Sequence, residues 1–320
     1  MRSHGCLSPV ITMNEPKIVA PIALFVYGRP WHTQQTVEAL QKNELAERSD
    51  LFIFADAAKN QESFTAVKKV REYIKTVGGF NSVSIVERDV NFGLADSIID
   101  GVTKLCNEFG RVIVVEDDLV TAPFFLQYMN EALDIYAKDP IVASIHGYWY
   151  AVDRNMPATF LLRGASCWGW ATWSSAWSIF EPDGQKLLDE LKKKKLTHSF
   201  DLDGVKGYTQ MLRDQIAGKN NSWAVRWHAA TFLANKLQLS PGVSLVRNIG
   251  FDGSGIHCAE SDTYAVSLAT RPIDIKRLRP TQSSVARAAL IRFYIKTRRT
   301  IFERVTNRLS LLIRNYRKVK

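Results

Sequence analysis

Four short apolar runs, residues 22–27, 51–55, 83–86 and 112–115, start 29, 32 and 29 residues apart. That interval is close to the roughly 30 residues of one strand–helix–strand unit. The runs are unbroken and rich in Val, Ile and Phe, as strands buried on both faces are. The segments between them carry a helical period. Phe64, Val67, Val70 and Ile74 fall on one face, followed by Gly78-Gly79 as a stop signal. Leu94, Ile98, Val102, Leu105 and Phe109 form a second stripe closed by Gly110, and Thr33 or Thr36 can cap a first helix running to Leu45. Alternating β and α elements predict an α/β fold, a mostly parallel central sheet flanked by helices. Such sheets bind ligands at the carboxyl ends of their strands.

Beyond about residue 145 the rhythm stops. Seven of the eight tryptophans lie between Trp149 and Trp227. The longest uncharged run, residues 164–180, holds four of them with five Ser/Thr, and reads as a loop or pocket wall and not a membrane span. The lysines at 192–195 belong to a solvated helix. The expected organisation is an N-terminal extension (1–20), a strand–helix half (21–145), a tryptophan-rich half of the same domain (146–260), a connector (261–284) and a helical tail (285–320).

At 46% hydrophobic and 23% charged, the chain is neither disordered nor fibrous. The net charge of +10 hints at nucleic acid until it is located. Residues 285–320 carry eleven Lys/Arg against the single acid Glu303, so the tail accounts for all of it and the body is neutral. A nucleic-acid partner is therefore not expected. In the tail, Leu290, Ile291, Tyr294, Ile295, Ile301, Phe302, Val305, Leu309, Leu312 and Ile313 recur at helical spacing among the basic residues. A basic amphipathic helix points to an anionic membrane surface; packing on the body is the competing reading. Four scattered cysteines and the lack of a signal peptide point to the cytoplasm, with the tail on the inner face of the membrane. Met13 offers an alternative start.

The sharpest local feature is Glu116-Asp117-Asp118, directly after the fourth apolar run. Adjacent carboxylates at the mouth of a buried strand repel one another unless a cation or hydrogen-bond donors compensate. Oxygen ligands of this kind suit Mg²⁺ or Mn²⁺ together with substrate phosphates. An acidic turn capping a helix that begins near Pro123 is the alternative. Glycine-rich nucleotide motifs are missing: there is no G-x-G-x-x-G, and Gly218-Lys219 lacks the upstream glycine of a P-loop.

With that cluster in place, the chain from about Pro21 to Cys258 resembles inverting glycosyltransferases of the GT-A fold. It is similar to bacterial family-2-type sugar transferases and, more distantly, to the N-acetylglucosaminyltransferase I group. The resemblance implies a nucleotide-sugar donor, UDP-sugars favoured, a glycan or lipid-linked hydroxyl acceptor, and Mn²⁺ or Mg²⁺ as cofactor. It places Arg29, in the turn after the first strand, near the donor diphosphate, and gives Asp56 the nucleotide base. Arg88, Asp89 and Gly93, in a segment similar to the family's R-D-x-N-x-G-L, would line the donor site. Glu116 and Asp117 would face ribose and sugar, with Asp118 as the metal ligand. Ser166 to Trp173 resembles the W-G-W-A-T-W segment and Asn220 to Trp227 the stretch that carries the general base, which makes Trp168 and Trp170 of the first and Trp223 of the second candidates for the acceptor wall. His257, in a closing loop with glycines at 250, 253 and 255, would approach the metal.

The general base is less well marked. The family pattern has Asp two residues before the Trp, where this chain has Asn221. An amide cannot accept a proton at neutral pH. Three readings stay open: Asp214 or another carboxylate serves, the register is shifted, or catalysis is impaired. A nucleotidyltransferase of similar fold and a catalytically impaired nucleotide-sugar-binding protein are the alternatives to a working transferase.

Overall fold

The computed structural model describes residues 19–152, 155–253 and 262–298. In chain order the elements are β1 (Ile22–Val26), α1 (Pro30–Gln41), β2 (Asp50–Ala55), α2 (Gln61–Ile74), β3 (Ser82–Glu87), α3 (Gly93–Phe109) and β4 (Arg111–Glu116). There follow β5 (Leu119–Thr121), α4 (Phe125–Ile135), β6 (Val142–His146), β7 (Thr159–Arg163), β8 (Trp170–Trp173), α5 (Ser174–Trp177) and α6 (Gly184–Lys193). The last are α7 (Thr197–Phe200), α8 (Tyr208–Ile216), α9 (Trp223–Leu233), β9 (Leu237–Pro241) and β10 (Val246–Asn248), with a further helix over residues 284–298.

Eight strands form one sheet in the order β3-β2-β1-β4-β8-β6-β9-β7. The four strands from the periodic runs are parallel neighbours. Beyond β4 the sheet is mixed: β8 runs antiparallel to β4 and β6, β9 is parallel to β6, and β7 is antiparallel to β9. The protein is thus a mixed α/β fold with a large central sheet flanked by helices.

β1 and the Val112–Val115 stretch of β4 are buried throughout, as their unbroken apolar character requires. β3 differs from the expectation of two covered faces. It is the edge strand, and Val83, Ile85 and Val86 are only half-buried. Helix α1 also starts earlier than the threonines suggest. Pro30 occupies its first turn, where a missing N–H costs nothing, and Thr33 and Thr36 lie buried inside it. α2 opens with a capping box in which Asn60 Oδ1 accepts from Ser63 N at 3.0 Å and Ser63 Oγ accepts from Asn60 N at 3.2 Å. α3 buries Ile98, Val102 and Leu105, but leaves Leu94 and Phe109 exposed at its ends, and closes on Gly110 in the left-handed conformation (φ 74°).

The uncharged run 164–180 contains a core strand and a helical turn, not a loop. β8 inserts Trp170 between Val114 and His146, and Trp170 then packs on Trp177, Trp223 and Trp227 with ring centroids 5.3–6.1 Å apart. A separate apolar cluster joins α6, α7, α8 and α9 around Leu191, Phe200, Leu212 and Ala229. No helix among the described residues is long and apolar enough to cross a membrane.

Candidate functional site

The parallel half of the sheet brings four strand ends side by side. Val26 of β1 pairs with Ala55 of β2, Phe25 pairs with Glu116 of β4, and Ala55 pairs with Glu87 of β3. The residues that follow, Arg88 and Asp89, Asp56, Arg29 and Glu116 to Asp118, therefore line one edge.

At its centre lies the carboxylate cluster. The Arg29 guanidinium, at the start of α1, donates to both Asp117 Oδ1 and Asp118 Oδ2, the latter at 2.9 Å. Thr36 Oγ1 donates to the Asp117 carbonyl at 2.9 Å, tying α1 to the cluster. Burial works to lower the Arg29 pKa, but the two carboxylates outweigh it and hold the group above its ordinary value. Burial, followed by the charges of Asp118 and Asp117, pushes Glu116 up to about 8, with Arg29 opposing. Burial also raises Asp117, against Arg29. One guanidinium thus offsets only part of the negative charge of three carboxylates. The cluster does not cap the next helix, whose N-cap is Phe124 with no side-chain acceptor.

The segment after β10 covers this cluster. β10 pairs antiparallel with β5, and Ile249 N donates to the Asp118 carbonyl at 2.9 Å. Gly250 lies against Asp118 Oδ2 and Arg29 Nη1; a Cβ there would come within 2.9 Å of Nη1 and still closer to the carboxylate. Asp252 pairs with His32 Nε2 at 3.0 Å, and Phe251 meets Trp168 and Tyr264 at 5.5 and 5.0 Å. His257 lies outside the described residues.

Asp56 is buried and already fully used. Its two oxygens accept from Ala57 N, Phe92 N and Gly93 N at 2.8–2.9 Å and from Asn91 Nδ2 at 3.0 Å. Four acceptances fill a carboxylate. The group therefore ties the end of β2 to the first turn of α3, where Gly93 takes φ +74°. Arg88 lays its guanidinium over the Phe92 ring at 4.4 Å and pairs with Asp100. Asp89 is exposed in the same turn.

The tryptophans divide. Trp170 and Trp223 are core residues, 0% and 3% exposed, so neither presents a free face to a sugar; this corrects their expected place on the acceptor wall. Trp168 is half-buried beside Tyr148, Phe251 and Tyr264, next to the cluster's covering segment. Asp214 and Asn221 belong to the helical cluster of α6 to α9. Asp214 accepts from Gln210 at 3.1 Å and pairs with Lys219 at 3.4 Å, while Asn221 Oδ1 accepts from Arg226 at 3.0 Å. None of these partners belongs to the carboxylate edge. Sequence reasoning overlooked the His32–Asp252 pair and the tyrosines packed around Trp168. The Tyr148-Trp149-Tyr150 triplet just after β6 was the available signal for the latter.

The donor set consists of carboxylate oxygens, which suit a hard divalent cation. Among the described residues no three His, Cys, Asp or Glu side chains converge as a ready-made metal cage. Mg²⁺ needs only one or two carboxylates when phosphates and water complete its shell, and Asp118 meets that requirement.

No family model and no curated protein matches the chain. Among solved structures, it is similar over 44% of its length to the mannosyltransferase PcManGT from Pyrobaculum calidifontis in complex with GDP-Man and Mn²⁺, at 14% identity and a TM-score of 0.31. S. aureus TarS 1–349 is similar over 56% at 10% identity and TM-score 0.33; its complex with UDP-GlcNAc is similar over 43% at 11% and 0.29. The aligned parts span 39%, 49% and 37% of those three chains, less than half in each. Likeness this partial assigns no activity.

Proposed function

We propose that this chain is a metal-dependent inverting glycosyltransferase that moves a sugar from a nucleotide-diphosphate donor, UDP-sugars favoured, to a hydroxyl acceptor in cell-surface polysaccharide or glycolipid synthesis. One observation carries the reading: three carboxylates at the carboxyl end of a central parallel strand, two of them gripped by an arginine, with the segment after β10 lying over Asp118. Carboxylates in that place suit a cation that in turn holds a diphosphate.

Arg29 can exchange a carboxylate for a donor phosphate, because its planar fork binds either bidentately. Asp118, with Glu116 and Asp117 beside it, would hold Mg²⁺ or Mn²⁺; the ion's chemistry is to offset charge on the departing nucleoside diphosphate. Asp56 acts by positioning the turn that carries Arg88, Asp89 and Gly93 along the nucleotide. The acceptor hydroxyl attacks the anomeric carbon in line, so that carbon inverts, with catalysis drawn mainly from positioning and stabilisation of the leaving group. Asn221 being an amide, Asp214 or another carboxylate serves as general base, and Asp214 is engaged by Gln210 and Lys219 within the helical cluster. Asp214→Asn decides: a kcat lower by ~10²-fold or more gives Asp214 the role, and an unchanged rate removes it.

The direct test is a thermal-shift panel of UDP, GDP, dTDP and CMP, each with and without Mn²⁺. A ligand at a hundredfold excess over its Kd adds about 2.7 kcal/mol to stability. A shift with one nucleoside diphosphate, dependent on metal, is the expected result. Silence across the panel would leave the cluster structural and end the reading.

The seven Lys/Arg after residue 298 are proposed to meet an anionic membrane surface. Co-sedimentation of the full chain with anionic vesicles, against a chain ending at 298, tests this; equal pelleting sinks it.

A further inference from the structure

Beside the carboxylate edge lies an aromatic wall that the donor site does not use. Phe251 links the two: Gly250 before it lies against Asp118 Oδ2, and its own ring meets Trp168 at 5.5 Å. Trp168 in turn meets Tyr148 edge-on at 4.7 Å and Tyr264 at 5.5 Å. Tyr148 meets Tyr150 at 5.1 Å, and Tyr150 Oη lies 2.7 Å from Tyr294 Oη. Trp168, Tyr150, Tyr264 and Lys206 are only half-buried, so the wall keeps an accessible side.

Lys206 is the feature that calls for a ligand. Its Nζ sits 4.4 Å from the centre of the Tyr294 ring and 5.8 Å from that of Tyr208. Among the described residues no carboxylate pairs with it. The acid nearest in sequence, Asp203, is committed to Arg287 through bonds of 2.6 and 2.8 Å. A second cation stands on the same segment: Arg298 Nη1 donates to the Gly204 carbonyl, two residues before Lys206, at 3.3 Å. Ring faces attract an ammonium but leave its charge in place. A half-buried cation beside another cation gains when an anion arrives between or beside them.

We propose that this wall is the acceptor subsite and that Lys206, with Arg298 beside it, selects an acceptor sugar carrying an anionic substituent, phosphate or carboxylate. The rings face the sugar and the ammonium holds the anion. The assignment as acceptor subsite rests on the glycosyltransferase reading; the preference for an anionic sugar rests on the wall alone.

Tryptophan-fluorescence titrations of the full chain with glucose, glucose 6-phosphate, glucuronate and inorganic phosphate test it. The wild type should bind the two anionic sugars ~10-fold or more tighter than glucose, a difference of about 1.4 kcal/mol. Lys206→Gln should lose that preference and keep the wild-type nucleotide thermal shift; Lys206→Arg should keep both, which separates lost charge from lost folding. Equal binding of all three sugars, or a preference that survives Lys206→Gln, overturns the proposal. So does inorganic phosphate that competes as well as glucose 6-phosphate, since the sugar ring would then go unrecognised. Loss of the nucleotide shift in Lys206→Gln would move Lys206 to the donor site and overturn it too. If no nucleotide shifts the wild type while the anionic preference stands, the glycosyltransferase reading fails, and the acceptor assignment with it.

Discussion

Gly250 shows how little space the carboxylate cluster has. A methyl group there would meet Asp118 Oδ2 and, within 2.9 Å, Arg29 Nη1. Both are ends of side chains, so they can move aside at small cost to the fold. What moves, however, is the group proposed to hold the cation. Gly250→Ala should therefore leave the melting temperature nearly unchanged and reduce the metal-dependent nucleotide shift by ~10-fold in apparent affinity, about 1.4 kcal/mol. A normal nucleotide shift in Gly250→Ala would mean that Asp118 does not need its present position. Asp56 makes the complementary point. Four internal donors occupy it, so its effect on any nucleotide runs through the turn it fixes.

At the scale of elements, the helix over residues 284–298 belongs to the body. Ala286, Leu290 and Tyr294 share an apolar cluster with Trp149, Phe160 and Leu162, and Arg287 clamps Asp203 with both nitrogens. The amphipathic period was visible in the sequence, but the face it supplies is spent on protein, while Ile295 stays exposed. Ending the chain at residue 283 should cost about 4 kcal/mol, from ~2 kcal/mol each for the burial of Leu290 and Tyr294. Denaturant midpoints of the two chains check this, and equal midpoints would make the helix an appendage. The truncation also removes Tyr294 from beneath Lys206, so it should weaken the anionic-sugar preference as well.

For the whole molecule, two buried histidines set a pH dependence. Burial lowers His146 to about 3 and His228 to about 4, the latter opposed by its hydrogen bond to Ala165. Both are neutral in the fold and titrate near 6.5 once unfolded. Their contribution is complete above that value and is lost as pH falls through the window toward 4 and then 3, because the unfolded chain binds protons that the fold refuses. At about pH 5 each should cost ~2 kcal/mol relative to neutral pH. Glu116, raised to about 8, works the other way, because the fold keeps a proton there that the unfolded chain gives up above its ordinary carboxylate range, so the histidine share is read as a difference between variants. From urea midpoints at about pH 7.5 and 5, the change in stability should be less unfavourable in His228→Asn than in the wild type by ~2 kcal/mol; the same change in both would show that the His228 ring is hydrated in the fold.

The parallel half of the sheet and the carboxylate edge were readable from residue order. Buried parallel strands need unbroken apolar runs, and the fixed length of a strand–helix–strand unit repeats them at regular intervals. The turn at the end of each such strand then places Arg29, Asp56, Arg88 and Glu116 to Asp118 at one edge without further information. The second half was not readable in this way. Its strands are short, mixed in direction and paired across long separations, as when β9 joins β7 from 74 to 82 residues away and β6 from 94 to 95. Which tryptophans fill the core and which border the site depends on those pairings. Trp168 and Trp170 differ by two positions and by nothing in composition, yet β8 buries one and leaves the other at the rim. The aromatic wall with Lys206 draws on residues from 148 to 298, and only tertiary packing could bring them together, because no local period connects them.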